Sequence, residues 1–371
     1  MFTEAGDKEG KCMSKMLMSA HRLYLRFRKS NFVTSTREAT VVQGGHDWKT
    51  GPARVISGGL AQIERSMQAP APRSLMPAPV MEAVERNFFA PAVSKAPMSL
   101  MAAAVGAPTA ACFPPGECVF TEDWSSATLL ERVDVNHDVF LATFGLADQT
   151  RPLGLSTCAC ILSKFNDESS GDPVVRPYTP VSTNALIGKF QLAIKVYDNG
   201  KMSNYIKQMQ LGGTLDFKHI PFNVKIQYPF GKRYLTMLVG GTGITPMIQA
   251  LHAVLGTAGD DTMVTLIFGN KTQEDILCQD ILDAWSADFP QRLKVVHVLS
   301  HEPTGSTWTG ARGFIGRDIL QEYCAAPSED TMIFVCGPPP MYAALCGPRD
   351  AKDLTGLLSD MGYTAEQVFK F

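Results

Sequence analysis

A change of pattern near residue 230 limits most strongly what this 371-residue chain can become. Before it, from Cys118 onward, short β-rich runs follow one another with little helical phase. Residues 127–135 and 138–144 flank Asn136-His137, which predicts a hairpin. Further strands are expected at 155–165, 174–178, 188–196, 214–217 and 225–228, with Cys158 and Cys160 on one face of the first as buried core thiols. This spacing predicts a compact antiparallel barrel over 118-230.

After Tyr234 apolar runs alternate with helical ones. Strands are expected at 235–239, 264–268, 293–299 and 331–335. Helices are expected at 246–255, from Thr272 to Trp285 and at 318–324. Strands alternating with helices imply a parallel sheet with crossover helices over 231-371.

Residues 1-117 differ from both. Between Gly10 and Arg37 stand seven Lys or Arg residues and no Asp or Glu, with serines interleaved, the composition of a mitochondrial transit peptide. A basic tail without an address is the alternative, as are the cytosol or the cytoplasmic face of the endoplasmic reticulum. From Met67 to Pro115 repeated prolines (Ala-Pro-Ala-Pro at 69–72, Met-Pro-Ala-Pro at 76–79) prevent one long helix, so a low-complexity linker is expected. Residues 98–105 are apolar enough to touch a membrane peripherally, and no run of 18 apolar residues demands a spanning helix.

Composition excludes some classes. A net charge of -2 argues against a nucleic-acid binder. Nine cysteines without CxxC spacing suggest reduced, buried thiols and no metal site.

Chemistry concentrates in a few motifs. Arg176-Pro177-Tyr178-Thr179-Pro180 ends a strand, and its two prolines remove two N–H donors, so an edge or strand end is expected. Strand alternation puts Arg176 and Tyr178 on one face and Thr179 on the other. A guanidinium there can grip phosphate through two parallel hydrogen bonds, while a proline-rich turn with an exposed arginine is the plainer alternative. Gly240-Gly241-Thr242-Gly243-Ile244-Thr245-Pro246 closes a strand and opens a helix, where bare N–H groups favour negative charge. It matches neither GxGxxG nor the P-loop. Gly200-Lys201-Met202-Ser203 opens another helix beside a lysine and a hydroxyl. Cys336-Gly337-Pro338-Pro339-Pro340-Met341 ends the last strand at the carboxyl edge of the sheet, where open α/β sheets bind ligands. Phe371 stands last, able to cover a flat ring or to fill a groove.

Together with Ile194-Lys195-Val196-Tyr197, these motifs resemble one family in order and spacing over residues 118–371: the ferredoxin-reductase-like flavoenzymes, and within them the pyridine-nucleotide cytochrome reductases of the NADH–cytochrome b5 reductase type. The resemblance implies an antiparallel β-barrel FAD domain followed by an α/β parallel-sheet NAD-binding domain. It implies that Arg176, with Pro177, meets the flavin phosphate, Tyr178 the ribityl chain, and Thr179 and Thr245 the ring. Gly200, Lys201, Met202 and Ser203 would hold the FAD pyrophosphate, and Lys195 and Tyr197 would sit by flavin and nicotinamide. Gly240, Gly241, Thr242 and Gly243 would hold the dinucleotide phosphates. Cys336, Gly337, Pro338 and Met341 would border the nicotinamide, with Phe371 behind. Thr179, Lys195, Thr245 and Cys336 are the candidate catalytic residues. The activity implied is hydride transfer from NADH to FAD and single-electron transfer to cytochrome b5 or a similar haem protein. A nitrate-reductase-type module and a non-catalytic nucleotide-binding regulator are the alternatives.

Two departures stand out. The Gly-x-His expected ahead of the arginine motif is replaced by Gly154-Leu155-Ser156-Thr157. Ser300-His301, with Lys271 and Arg312 as possible neighbours, stands where NADH-preferring members carry an acid, which leaves NADPH open.

Overall fold

The computed structural model describes residues 100–371 apart from 222, 223 and 225. The basic stretch at 11–37 and the proline repeats at 69–79 lie outside the described residues. Two six-stranded sheets organise the rest. The first is antiparallel and joins β1 (Ser125–Asp134), β2 (Val139–Gly145), β3 (Ile161–Asn166), β4 (Pro173–Tyr178), β5 (Lys189–Lys195) and β6 (Thr214–His219) in the order β4-β3-β6-β1-β2-β5. Its edges curl together where the Val181 N–H donates to the Gln191 carbonyl at 2.9 Å. That bond closes the barrel. One helix, α2 (Lys201–Gln208), follows β5.

The second sheet is parallel, in the order β10-β9-β8-β7-β11-β12. Its strands are β7 (Tyr234–Gly240), β8 (Met263–Asn270), β9 (Leu293–Leu299), β10 (Ala311–Arg312), β11 (Thr331–Cys336) and β12 (Val368–Lys370). Helices α3 (Ile244–Gly256) and α4 (Gln279–Asp288) cover one face, and α5 (Arg317–Tyr323), α6 (Pro339–Leu345) and α7 (Gly356–Asp360) the other.

Side-chain alternation accounts for both halves. On β7, Leu235, Met237 and Val239 join the core under α3 and α4, while Leu238 joins the core under α6 and α7. Strands β2 and β5 do the same in an antiparallel setting. Phe140, Phe144, Phe190 and Leu192 fill the barrel, with Phe144 and Phe217 edge to face at 5.0 Å. Val139, Leu141 and Ala193 point outward into the same core as Met247, Ile248 and Leu251 of α3. The barrel wall is therefore also the floor of the parallel-sheet half. Six consecutive buried residues, 139–144, record this two-sided burial in the sequence itself.

Several sequence expectations need correction. The strand expected at 155–165 begins only at Ile161. Gly154 and Cys158 have positive φ (69° and 61°), a Cβ on Gly154 would lie 2.6 Å from the Glu117 carbonyl oxygen, and the stretch turns instead of extending. Cys158 is buried as expected, whereas Cys160 is only half-buried. Of the strand expected at 225–228, the described residues 226–228 form none, and the chain there leads into the cis Tyr228-Pro229 peptide. The helix expected to run from Thr272 to Trp285 is two pieces, a 3-10 turn at Gln273–Asp275 capped by Thr272, then α4.

The largest correction concerns residues 100–117, expected to be linker. They form a strap. Helix α1 (Leu100–Val105) buries Met101 and Val105 in the core beneath α3 and α4. Those side chains are thereby withdrawn from any lipid surface. The Thr109 N–H then donates to His252 Nδ1 at 3.1 Å, and Asn184 Nδ2 on the barrel donates to the Ala111 and Leu155 carbonyls at 3.0 and 2.9 Å. The Val119 N–H finally joins the Leu153 carbonyl at 2.8 Å.

Burial holds the His252 imidazole neutral, its pKa pushed down to about 4 from 6.5. The unfolded chain takes up a proton near pH 6.5 that the folded chain refuses, so stability contributed above that pH is lost as the pH falls towards 4. The difference amounts to about 3 kcal/mol. His252→Gln should remove that part of the acid sensitivity. Urea melts at pH 7 and pH 5 measure it as the wild-type loss minus the variant loss, because burial lowers the pKa values of His219 and His297 too.

Candidate functional site

The carboxyl edge of the parallel sheet meets the barrel beside β4, and the sequence motifs converge there. Strand β4 is an edge strand, as its prolines require. It pairs with β3 in a register that sets Arg176 against Ser163, whose hydroxyl donates to the Arg176 carbonyl at 3.0 Å. Arg176 is half-buried, and its Nη1 donates to the Val175 carbonyl at 2.8 Å. Tyr178 packs on the barrel core, and burial pushes its phenol above the usual range, so it stays a neutral hydrogen-bonding group.

Beyond β4 the chain is held from the other half. Gln249 of α3 donates through Nε2 to the Pro180 carbonyl at 2.8 Å and to the Ser182 carbonyl at 2.7 Å. One amide thus fixes Thr179-Pro180 against the helix that starts at Ile244. No local motif marks Gln249, because its partners lie 69 and 67 residues away.

The turn from β7 into α3 is shaped by close backbone approach. A Cβ on Gly243 would lie 2.2 Å from the Cys336 carbonyl oxygen, and one on Gly240 would lie 2.8 Å from Pro338 Cδ and 3.0 Å from Met341 Sδ. A Cβ on Gly337 would meet Met341 Sδ at 2.5 Å. Two strand ends, β7 and β11, interlock through these glycines. Above Gly241 (φ +54°) a Cβ would meet nothing within 4 Å, so that backbone faces open space. The first turn of α3 carries no acidic residue and no side-chain cap. Thr242 is half-exposed while Thr245 is buried. Cys158 donates to the Pro246 carbonyl at 3.2 Å from the barrel side, and burial raises its thiol pKa well above the usual value.

Helix α2 repeats the arrangement on the barrel. Its start is likewise acid-free and uncapped by Gly200. A Cβ on Gly200 would lie 2.4 Å from Ser203 Oγ. Ser203 is buried, and its hydroxyl donates to the Gly200 carbonyl at 3.2 Å, so it shapes the turn and leaves the backbone N–H groups as the anion-facing element. Met202 is a barrel-core residue, and Lys201 Nζ binds Asp167 Oδ2 at 2.6 Å. Tyr197, just before the turn, is 57% exposed, the state of a ring waiting for cover. Phe371 is engaged: its N–H donates to the Val335 carbonyl at 3.0 Å, and its ring sits edge-on to Phe334 at 5.1 Å, filling the groove.

Lys195 is drawn into a charge cluster. Its ammonium contacts Asp138 Oδ2 and lies 3.8 Å from Asp275 Oδ1, and His137 Nε2 is 3.5 Å from each of those oxygens. Asp138 belongs to the barrel and Asp275 to the other half, so the lysine bridges the seam. His137, Asp138 and Asp275 place ligand atoms within 4.8 Å of one another, but the ammonium already supplies the positive charge there. The cluster opens on a cleft of about 410 Å³ that Lys271, Thr272, Glu274 and His301 complete. Arg312, expected near Ser300-His301, stands opposite Leu299 in the β9–β10 register, and its guanidinium binds the carbonyls of Glu302, Pro303 and Trp308 and the Ser306 hydroxyl, ordering its own loop.

Two uncapped, acid-free helix starts, an edge arginine and an open backbone at Gly241 fit two phosphate-bearing cofactors at one seam. The residues present therefore suit FAD on the barrel side and a nicotinamide dinucleotide on the other.

Comparison with known proteins agrees. Residues 126–221 match the family model described as an oxidoreductase FAD-binding domain, and residues 237–347 match that of an oxidoreductase NAD-binding domain. The NADH-cytochrome b5 reductase 2 of Aspergillus clavatus is 38% identical over 265 residues, 68% of this chain and 80% of that protein. The protein of that name from Emericella nidulans is 34% identical over 324 residues, covering 84% of this chain and 96% of its own. Among solved structures, the cytochrome b5 reductase domain of Ulva prolifera nitrate reductase superposes with a TM-score of 0.60 at 28% identity, over 71% of this chain and all of that one.

Gly243→Ala should push the Cys336 carbonyl aside and cost about 1–3 kcal/mol, the usual penalty for overpacking. Urea melts of the two proteins side by side measure the loss.

Proposed function

The chain belongs to the NADH–cytochrome b5 reductase family, and on that premise we propose the roles of its own residues in taking electrons from NADH and passing them to cytochrome b5. FAD supplies the chemistry, accepting hydride from NADH and releasing electrons one at a time to the haem protein. The protein aligns the partners and sets the field around them.

The observation that carries the reading is the pairing of two bare helix starts across one seam, with no carboxylate in the first turn of either longer helix. Backbone N–H groups at Lys201, Met202 and Ser203 meet the flavin pyrophosphate, and Arg176 on the edge strand meets its phosphate charge from the other side. Tyr178 and Tyr197 flank the ribityl chain and the ring. Thr179 and Thr245 stand on either side of the Gln249 clamp and offer hydroxyls to the ring edge. Gly240 to Gly243 receive the dinucleotide phosphates, and Cys336 to Met341 border the nicotinamide. Lys195 holds the two halves in register through Asp138 and Asp275. No acid–base pair is needed, because hydride moves without a separate proton.

A reductase module of the nitrate-reductase type is the second reading, supported by the Ulva likeness. The relatives that match over 80% and 96% of their own lengths favour the first. Mitochondrial delivery by the acid-free basic stretch at 11–37 completes the proposal.

Purified protein should be yellow and should bleach anaerobically on adding NADH; flavin retained without bleaching would point to a regulator. Arg176→Ala removes a charge-assisted phosphate contact worth roughly 1.5–3 kcal/mol, or about 10- to 100-fold in flavin affinity. The flavin-to-protein absorbance ratio after gel filtration reports the loss, and an unchanged ratio contradicts the assigned site.

A further inference from the structure

In an open parallel sheet a dinucleotide lies along the carboxyl ends of the strands, with its phosphates at the switch point and its adenosine ribose beside the next strands out. The switch point here falls between β7 and β11, and the next strands out are β8 and β9. Strand β8 ends at Asn270 and β9 at Leu299, so Lys271 and Thr272 face Ser300 and His301 across the ribose position. The two tips are tied together, since the Ser300 and His301 N–H groups donate to the Asn270 and Lys271 carbonyls at 3.0 and 2.7 Å.

A ribose 2′-hydroxyl is best met by a carboxylate, and a 2′-phosphate by cations and N–H donors. No carboxylate stands at either strand tip. Nearby acids are turned towards protein donors. Glu302 Oε2 accepts the Gln273 N–H at 2.8 Å, and Asp275 Oδ2 accepts the Thr272 N–H at 2.9 Å while Oδ1 faces Lys195 and His137. Asp138 is held by the same lysine, while Glu274 is exposed and lines the cleft, three residues beyond Lys271. Two exposed groups of positive or protonatable character line the cleft, Lys271 and His301, while the exposed Arg312 opposite Leu299 holds its guanidinium to its own loop. The histidine ring is also oriented. Ser300 Oγ sits 3.2 Å from the Asn270 carbonyl and 2.8 Å from His301 Nδ1, which turns Nε2 away from the serine. Phe314 stands edge-on to that ring at 6.4 Å.

We propose that this site accepts 2′-phosphorylated dinucleotides, NADPH alongside NADH, with Lys271 and His301 as the residues that hold the 2′-phosphate. The proposal rests on the reading of the sheet edge as the dinucleotide site. Serine in place of an acid removes the repulsion that excludes the phosphate, and the lysine adds attraction.

Binding of 2′,5′-ADP and 5′-ADP to the full, flavin-loaded chain, followed by titration calorimetry, tests this without turnover. One charge-assisted contact predicts about tenfold tighter binding of 2′,5′-ADP. Lys271→Gln and His301→Gln should each shrink that advantage and together abolish it, while Ser300→Asp should reverse it. Equal affinities in the wild type, or an advantage that survives the double variant, overturn the proposal and leave the dinucleotide site standing. If neither nucleotide binds, the dinucleotide site and the proposal fall together.

Discussion

A wall with two buried faces governs this molecule. Strands β2 and β5 turn Phe140, Phe144 and Leu192 into the barrel and Val139, Leu141 and Ala193 into the core beneath α3. A strand that buries both faces has no freedom to slip, because a shift of one residue would exchange the two sets. The start of α3 is thereby fixed against the edge strand carrying Arg176. The Gln249 amide refines the fit with two hydrogen bonds, and the Gly243–Cys336 approach does the same between neighbouring strand ends. Placement of the phosphate-facing groups is a consequence of packing several residues removed from them.

Much of this was legible in the residues. The parallel half announced itself through apolar runs at helical and strand spacing, and the prolines of 177 and 180 correctly marked an edge. The Asn136 turn was legible too, since its Oδ1 accepts the Val139 N–H at 2.9 Å in the manner of a local side-chain turn. Failures share a physical cause, namely contacts distant in sequence. The apolar run from Leu155 looks like a strand, but Glu117 forces Gly154 into a turn. The position of Lys195 at the seam was expected, but not that its ammonium bridges Asp138 and Asp275, 57 and 80 residues away.

Electrostatics at the seam follows a simple division. Acids are absent from the first turns of α2 and α3, where backbone N–H groups accumulate partial positive charge. They gather instead at the Lys195 cluster, each matched to a cation or N–H donor. A site built this way presents fixed dipoles to phosphate and keeps its ionised side chains for holding the halves together. Membership of the NADH–cytochrome b5 reductase family and these local features thus describe the same molecule at two scales.

The strap has a consequence for how the chain comes into being. Met101 and Val105 leave the ribosome early, yet the groove that receives them is lined by residues of α3 and α4, as far along as Trp285. Their docking closes a loop of about two-thirds of the described chain, which makes it a late, entropically expensive event in folding. The first-made residues of the described stretch are among the last to find their place, and until then the apolar patch under α3 and α4 stands open to whatever else is in the cell.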